Sequence, residues 1–202
     1  ISIGKDELIY VNKSKVRVGE TQYRNKFAGV DIKTAAIQNI LVNEVPLDSV
    51  LLWVDANVII TKRLWQDLFQ VLKEKEILFV KEPSRAKSIN LGVIAIRNSI
   101  KTRELFSRLT EYIHRGYWDQ GVMCCMLNRP TRHDCTHISN FKIRWGYLPD
   151  RFAQVKKLRH SSSCVPLKTK NLPIIVKFTI SKDEVQYKRM QCLRNYMKYY
   201  SS

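Results

Sequence analysis

The stretch that decides the fold is LLWVDANVII, residues 51–60, in which two polar residues interrupt an apolar run. Residues 50–54 carry no polar side-chain group except the indole of Trp53. Such a run is typical of a strand buried on both faces of a sheet that helices cover. Burying an ionised Asp without a partner is costly, so Asp55 and Asn57 need a cation, a cap or a hydrogen-bond network.

Segments typical of strands and of helices alternate on both sides of this stretch. The apolar residues of 64–72 recur at helical spacing, and Thr61 before them can cap that helix. Further helices are predicted at 32–41, 102–113 and 119–127, and strands at 1–3, 15–18, 77–80, 93–96, 142–145 and 174–178. The alternation predicts an α/β fold with a mostly parallel central sheet flanked by helices. In such sheets ligands bind beyond the carboxyl ends of the strands, where Asp55 and Asn57 are expected.

Length and charge narrow the class of protein. The chain has 202 residues, of which 45% are hydrophobic and 10% aromatic, so we expect one globular domain over 1–202. Its last segment, 183–202, is predicted to be a basic helix, and the missing initial Met suggests a chain trimmed from a longer one. The net charge of +17 predicts an anionic partner and leaves open nucleic acid, acidic lipid and nucleotide phosphates.

The cysteines bear on the cellular compartment. There are five, with two adjacent and no C-x-x-C pair, a spacing that suits neither a disulfide framework nor a zinc site. We therefore expect a reducing, cytoplasmic location. No stretch approaches the roughly 20 apolar residues that a membrane span needs.

The D-x-N pattern has two interpretations. Oxygen-bearing side chains at i and i+2 can converge on one cation, which can in turn hold a diphosphate. Alternatively, Asp55 caps a turn and Asn57 hydrogen-bonds its own backbone. The spacing alone leaves both interpretations open.

Three motifs in order resemble nucleotide-sugar glycosyltransferases of the GT-A fold. LLWVDANVII followed by TKRLWQDLF resembles the D-x-D segment and the helix after it. Asn90-Leu91-Gly92, leading into VIAIRNS, resembles the family's Asn-x-Gly before a strand. Tyr117-Trp118-Asp119-Gln120 resembles its aromatic stretch with Asp-Gln opening a helix. The resemblance covers roughly residues 1–180 and implies a single GT-A, Rossmann-like catalytic domain.

The resemblance also implies an activity. It is the transfer of a sugar from a UDP-sugar to a saccharide or glycoprotein-glycan acceptor, with retention of the anomeric configuration. In size the chain is similar to compact glycosyltransferase domains encoded by microbes and large algal viruses, including chlorella viruses. A viral protein of this kind would work in the cytoplasm of its host cell.

Site residues follow from the resemblance position by position. Asp55 and Asn57 would bind Mn²⁺ or Mg²⁺, which would bridge the two phosphates of the donor. The other implied donor-binding residues are Ile3, Gly4, Asp6, Lys33, Val54, Ala56 and Gly92. Asn90, Asp119 and Gln120 would lie at the transferred sugar and the reacting carbon, and Trp118 would stack on an acceptor ring.

Each of these residues has a plain structural alternative. Asp119 carries a charge that suits any helix N-terminus. Residues 90–92 read equally well as an ordinary turn, Trp118 as a core residue and Lys33 as a solvated helix residue.

The sequence departs from the family in two places. Asn57 replaces the second acid of the D-x-D motif, which keeps an oxygen but removes a charge. The late apolar strand has Lys177 where the family commonly has a metal-binding His, and a protonated Lys cannot ligate a metal. We expect Lys177, with Lys182 as a second candidate, to contact a phosphate directly, and His160 is a candidate for the missing ligand.

Three other interpretations remain possible from the sequence. The charge and the basic, aromatic tail also suit a nucleic-acid-binding module, although no RRM, KH, helix-turn-helix or zinc signature is present, and we expect no nucleic-acid partner. The same features suit peripheral contact with an anionic membrane. The departures at Asn57 and Lys177 also favour a catalytically silent GT-A-like binding protein. The sequence does not indicate an oligomeric state.

Overall fold

The structure is a computed structural model that describes residues 28–55, 58–61, 64–82, 88–129, 131, 133–158 and 174–180. Within these ranges the helices are α1 (Ala28–Asn43), α2 (Trp65–Val71), α3 (Ile100–His114) and α4 (Asp119–Met126). The strands are β1 (Val50–Val54), β2 (Val58–Ile60), β3 (Ile77–Lys81), β4 (Ile89–Arg97), β5 (Trp145–Tyr147), β6 (Ala153–Leu158) and β7 (Ile175–Ile180). The strands predicted at 1–3 and 15–18 and the tail helix at 183–202 lie outside the described residues.

The described strands form two sheets, which have the orders β1-β4-β3-β5 and β2-β7-β6. In the first sheet β1, β3 and β5 point the same way and β4 runs against them. The α/β prediction with flanking helices is confirmed, and three of these four strands share one direction. The reversed strand β4 lies between β1 and β3, so both of its pairings are antiparallel. Among the described strands, β2 and β7 also pair antiparallel, and β3–β5 and β6–β7 are the parallel pairs.

The reversal of β4 has a local cause. Only residues 82–88 join β3 to β4. A parallel return requires a crossover of about a dozen residues or more, so this short connection brings the chain back antiparallel. The sequence-based expectation of a mostly parallel sheet overlooked this connection length.

The first sheet separates two hydrophobic cores. Helices α1, α3 and α4 cover one face, where Ile77 and Phe79 of β3 point. Helix α2 and strands β6 and β7 cover the other face, where Leu78 and Val80 of β3 point. Successive strand residues face opposite sides, so a strand covered on both faces needs apolar residues at nearly every position. The sheet interior therefore requires the apolar runs seen in β3 and β4.

Several element boundaries differ from the sequence-based prediction. Helix α2 begins after Leu64 rather than at a Thr61 cap, because the hydroxyl of Thr61 donates instead to the carbonyl of Ile174 at 3.2 Å. Strand β4 is longer than predicted and includes residues 90–92, and β6 was not predicted. Helix α3 starts with a capping box between Ser99 and Thr102, a local signal that predicts a helix start.

The cysteine prediction was wrong for one pair. Cys125, near the end of α4, forms a disulfide with Cys135, with the Cα atoms 5.4 Å apart. The loop after the helix folds back onto it, which residue spacing did not indicate. Disulfides persist mainly in oxidising compartments, so this pair argues against the reducing location expected from the sequence, and a cytoplasmic location stays a prediction. No helix in the described ranges is both long and apolar enough to span a membrane.

Candidate functional site

Asp55 lies where β1 leaves the first sheet. Its backbone N–H donates to the carbonyl of Gly92 on β4 at 2.9 Å, and its own carbonyl accepts from the N–H of Val58 at 3.2 Å. The indole N–H of Trp53 donates to Oδ1 of Asp55 at 3.3 Å, since residues two apart on a strand face the same side. The carboxylate is thus held at the carboxyl edge of β1, with its side chain 29% exposed.

The second oxygen of Asp55 is paired with Lys177. The ammonium of Lys177 donates to Oδ2 of Asp55 at 2.5 Å. Lys177 is 6% exposed and comes from β7 of the second sheet, where it lies opposite Val58 of β2. The two sheets therefore meet at a buried cation and a partly exposed carboxylate.

Gly92 provides the space for this ion pair. A Cβ atom at position 92 would lie 1.4 Å from Nζ of Lys177 and 2.5 Å from Oδ2 of Asp55. Real side chains do not approach so closely, so any larger residue here would displace the ammonium. The backbone of Gly92 does not have a positive φ angle, so backbone conformation does not require a glycine here. The close approach of the ammonium does.

Asn90 lies at an irregularity in β4 beside Gly92. The pairing of β3 with β4 shifts from Phe79–Ile94 to Val80–Asn90. Asn90 is buried, its Oδ1 accepts from the N–H of Gly92 at 2.9 Å, and its Nδ2 donates to Oε2 of Glu82 at 2.7 Å. Such irregularities re-aim side chains next to functional sites. Residues 90–92 are thus part of a strand rather than a turn before it.

Lys33 and Asp119 form a second buried group. Nζ of Lys33 on α1 lies 2.8 Å from Oδ2 of Asp119 at the start of α4, and their side chains are 18% and 4% exposed. This oxygen accepts no well-aligned hydrogen bond from any described residue, so its contact with Lys33 is an ion pair alone. The other oxygen accepts from the N–H of Gln120 at 2.7 Å.

Helix α4 lies beside the start of β4. Ser88, just before β4, contacts the sulfur of Cys124 at 3.6 Å. At the other end of the helix Trp118 packs against His133, with ring centroids 5.2 Å apart. Gly121 allows this packing, since a Cβ there would lie 2.2 Å from Cδ2 of His133.

Comparison with known proteins adds the family. A family model described as nucleotide-diphospho-sugar transferase matches residues 62–191, which are 130 of the 202 residues counted inclusively. The chain belongs to this family. No curated protein matches it.

Membership in the nucleotide-diphospho-sugar transferases places the activity in the class of nucleotide-sugar-dependent transfer. The match includes Asn90, Gly92, Asp119 and Lys177, and it begins after Asp55. The predicted glycosyltransferase superfamily is therefore confirmed, whereas the D-x-D type and the viral origin stay predictions.

The described part of the transferase brings together several of the predicted residues. Asp55, Gly92 and Lys177 are in contact, Asn90 is joined to Gly92, and Lys33 is paired with Asp119. Val54 is exposed at the end of β1, and Gln120 and Trp118 are partly buried at the start of α4. The predicted residues that lie outside the described ranges are Ile3, Gly4, Asp6, Ala56, Asn57, His160 and Lys182.

Three residues of the site were not predicted. Trp53 had a sequence signal, because it precedes Asp55 by two positions on the same strand. Glu82 and His133 had none, since their contacts with Asn90 and Trp118 depend on how the chain folds back.

The described residues do not fit a divalent cation at Asp55. A metal about 2.2 Å from Oδ2 would stand roughly 4.7 Å or less from the ammonium of Lys177. Repulsion between charges of +2 and +1 at that distance is on the order of 7 kcal/mol at an effective dielectric constant of about 20. Among the described residues, no three His, Cys, Asp or Glu side chains cluster closely enough to hold a metal ion. Asn57 and His160 lie outside the described ranges.

Proposed function

We propose that this transferase moves a sugar from a UDP-sugar to a saccharide or glycoprotein-glycan acceptor, with retention of the anomeric configuration. The proposal rests on the ion pair between Asp55 and Lys177, which lies against Gly92 just beyond the carboxyl end of β1. Open α/β sheets bind their ligands at this edge, and a buried ammonium suits the diphosphate of a donor.

The proposed donor site extends along the same edge. Val54 is an exposed apolar residue beside Asp55 and suits contact with the nucleoside. Asn90 is held by Glu82 and by the backbone of Gly92, which would fix its amide near the transferred sugar. A side chain whose rotamer is locked in this way positions a substrate without losing further entropy on binding.

The transferred sugar and the acceptor are proposed to bind at the start of α4. Asp119 is buried against Lys33, so its carboxylate keeps a fixed position. Gln120, the next residue, is partly exposed and would donate to or accept from a sugar hydroxyl. Trp118 is partly buried beside His133 and would stack on an acceptor ring.

In the proposed reaction the bond between the anomeric carbon and the β-phosphate oxygen breaks, and the electron pair leaves on that oxygen. The acceptor hydroxyl oxygen forms the new bond to the anomeric carbon on the same face. Its proton passes to the departing diphosphate, so atoms and charge balance. Positive charge at the diphosphate stabilises this transition state, because negative charge develops there.

Hydrolysis and binding assays test the proposal. We expect the protein to release UDP from at least one UDP-sugar in a panel of UDP- and GDP-sugars, and UDP to raise its melting temperature. Asp119→Asn should lower turnover, whereas Asp67→Asn, a change of the same kind on the exposed face of α2, should not. No turnover with any donor and no stabilisation by UDP would contradict the proposal.

These assays, together with an oligonucleotide-binding assay, separate the proposed transferase from the two other candidate functions. A catalytically silent binding protein would be stabilised by UDP without turnover. A nucleic-acid-binding module would instead give a salt-sensitive complex with oligonucleotides. The single catalytic domain over 1–202 and peripheral contact with an anionic membrane remain proposals beside the main one.

A further inference from the structure

We propose that the ammonium of Lys177 takes the place of a divalent metal in this transferase, so that donor binding and sugar transfer need no metal ion. The inference rests on the proposed function and concerns how the donor diphosphate is neutralised. Its basis is that the described residues around Asp55 do not fit a divalent cation.

The charge at the site is balanced without a metal. Two carboxylates with a divalent cation between them carry no net charge. Asp55 paired with the ammonium of Lys177 also carries no net charge, since position 57 is Asn rather than a second acid. A metal added to the present pair would instead leave the site with an excess of positive charge beside a buried cation.

Lys177 is held where a metal would be needed. Its strand, β7, is paired on one side with β2 at Val58 and on the other with β6 at Val155. These pairings fix the backbone of Lys177, and Gly92 leaves a space that the ammonium fills. The ammonium of Lys177 therefore lies at the edge of the first sheet, and its backbone is held in the second sheet by strand pairing on both sides.

The ammonium also has donors to spare. A protonated Lys has three N–H groups. Among the described residues Asp55 is the partner of Lys177, so two N–H groups are left for a ligand. Buried donors are normally satisfied, and the two phosphates of a nucleotide-diphospho-sugar would supply the missing acceptors. A lysine acts on phosphates as a point charge, which is the role a metal otherwise fills.

In the transfer step the ammonium donates hydrogen bonds to diphosphate oxygens and stays protonated throughout. The bond from the anomeric carbon to the β-phosphate oxygen breaks, and the released electron pair is stabilised by this positive charge. Lys177 neither gains nor loses a proton, so the step needs no further reactant.

The first test compares wild-type protein in EDTA and in MnCl₂. UDP affinity is measured by calorimetry and UDP release from UDP-sugars by a coupled assay, both in each buffer. We expect the dissociation constant and turnover to agree within about twofold between the two buffers, a small effect on an affinity scale. This comparison uses no variant, so it does not depend on any mutant folding.

The second test removes the charge. Lys177→Met should raise the dissociation constant for UDP about tenfold or more, in EDTA as well as in MnCl₂. Lys81→Met is the matched control, because Lys81 ends β3 at the same edge but its side chain is 48% exposed. We expect that control to stay within about twofold of wild type, as exposed charges contribute little.

The outcomes separate the two proposals. If EDTA abolishes UDP binding or turnover in the wild-type protein and Mn²⁺ restores it, Lys177 does not replace a metal and the transferase function stands. If Lys177→Met binds UDP like the wild type, the inference is equally wrong. If the wild-type protein binds no UDP in either buffer, the proposed function fails, and the role of Lys177 fails with it.

Discussion

Gly92→Ala is the most informative substitution in this protein, because it moves the ammonium of Lys177 without removing it. The new Cβ would lie 1.4 Å from Nζ, and ordinary contact begins at about 3.4 Å, so Nζ must shift by about 2 Å. A shift of that size breaks the 2.5 Å contact with Asp55. The clash is with the far end of a flexible side chain, so we expect a loss of about 1–3 kcal/mol in the free energy of unfolding.

The effect on function should exceed the effect on stability. In the proposed function a displaced ammonium would no longer contact the donor diphosphate, and loss of one preorganised electrostatic contact typically costs about 10²-fold or more in kcat. We expect turnover of the proposed UDP-sugar donor to fall by about that factor in Gly92→Ala. The measurements are urea unfolding for stability and steady-state kinetics for turnover.

Gly146→Ala is the matched control, since Gly146 also lies on a strand and its Cβ would come only within 3.2 Å of a methyl group of Leu78. We expect its unfolding free energy to change by less than about 1 kcal/mol and its turnover to stay near wild type. In Lys177→Met the added Gly92→Ala should cost less stability than it does alone, because the clashing ammonium is gone. Wild-type turnover and UDP affinity in Gly92→Ala would refute the reasoning.

Three further predictions concern stability. Lys33→Met leaves the buried carboxylate of Asp119 without its cation, so we expect urea unfolding to show a loss of about 3–5 kcal/mol in the free energy of unfolding. Adding Asp119→Asn should recover part of this loss. An unchanged urea midpoint in Lys33→Met would show that the pair is not formed. Cys125→Ser opens a loop with a sequence separation of 10 to Cys135 and should cost about 2–3 kcal/mol in non-reducing buffer. In that assay a reducing agent should destabilise the wild type and leave Cys125→Ser unaffected. Asn98→Ala removes a fully buried amide that donates to three main-chain carbonyls, one in the last turn of α1 and two just after it. Thermal unfolding should therefore show a loss of about 2–3 kcal/mol, and a loss below about 0.5 kcal/mol would contradict this network.

Much of the local structure was predictable from the sequence. Strand β1 has the predicted bounds, and the helix predicted at 119–127 is α4, one residue shorter. Both predictions rest on side-chain periodicity and turn signals within a few residues of the element. Strand β6 was missed because the adjacent Lys156 and Lys157 break the alternation of apolar and polar residues, and its pairing with β7 is what stabilises it.

The candidate site was predictable as a set of residues but not as an arrangement. Motif order placed Asp55, Asn90 and Gly92 at one site, and the structure joins them across neighbouring strands. The partner of Asp55 was not predictable, since Lys177 lies 122 residues away and was expected to contact a phosphate rather than the carboxylate. Which side chain meets another over such a distance depends on strand order and register, and no local signal encodes either.

The sequence by itself determined the elements, their α/β class and the polar residues at the end of the central apolar strand, because these depend on local periodicity and on the cost of burying charge. Only the tertiary structure decided that β4 lies between β1 and β3, that Cys125 reaches Cys135, and that a lysine faces Asp55. The physical reason is that each of these contacts joins segments that approach only when the chain between them folds back. The sequence indicated that Asp55 needs a cation, a cap or a hydrogen-bond network, and the fold supplied an ammonium from the second sheet.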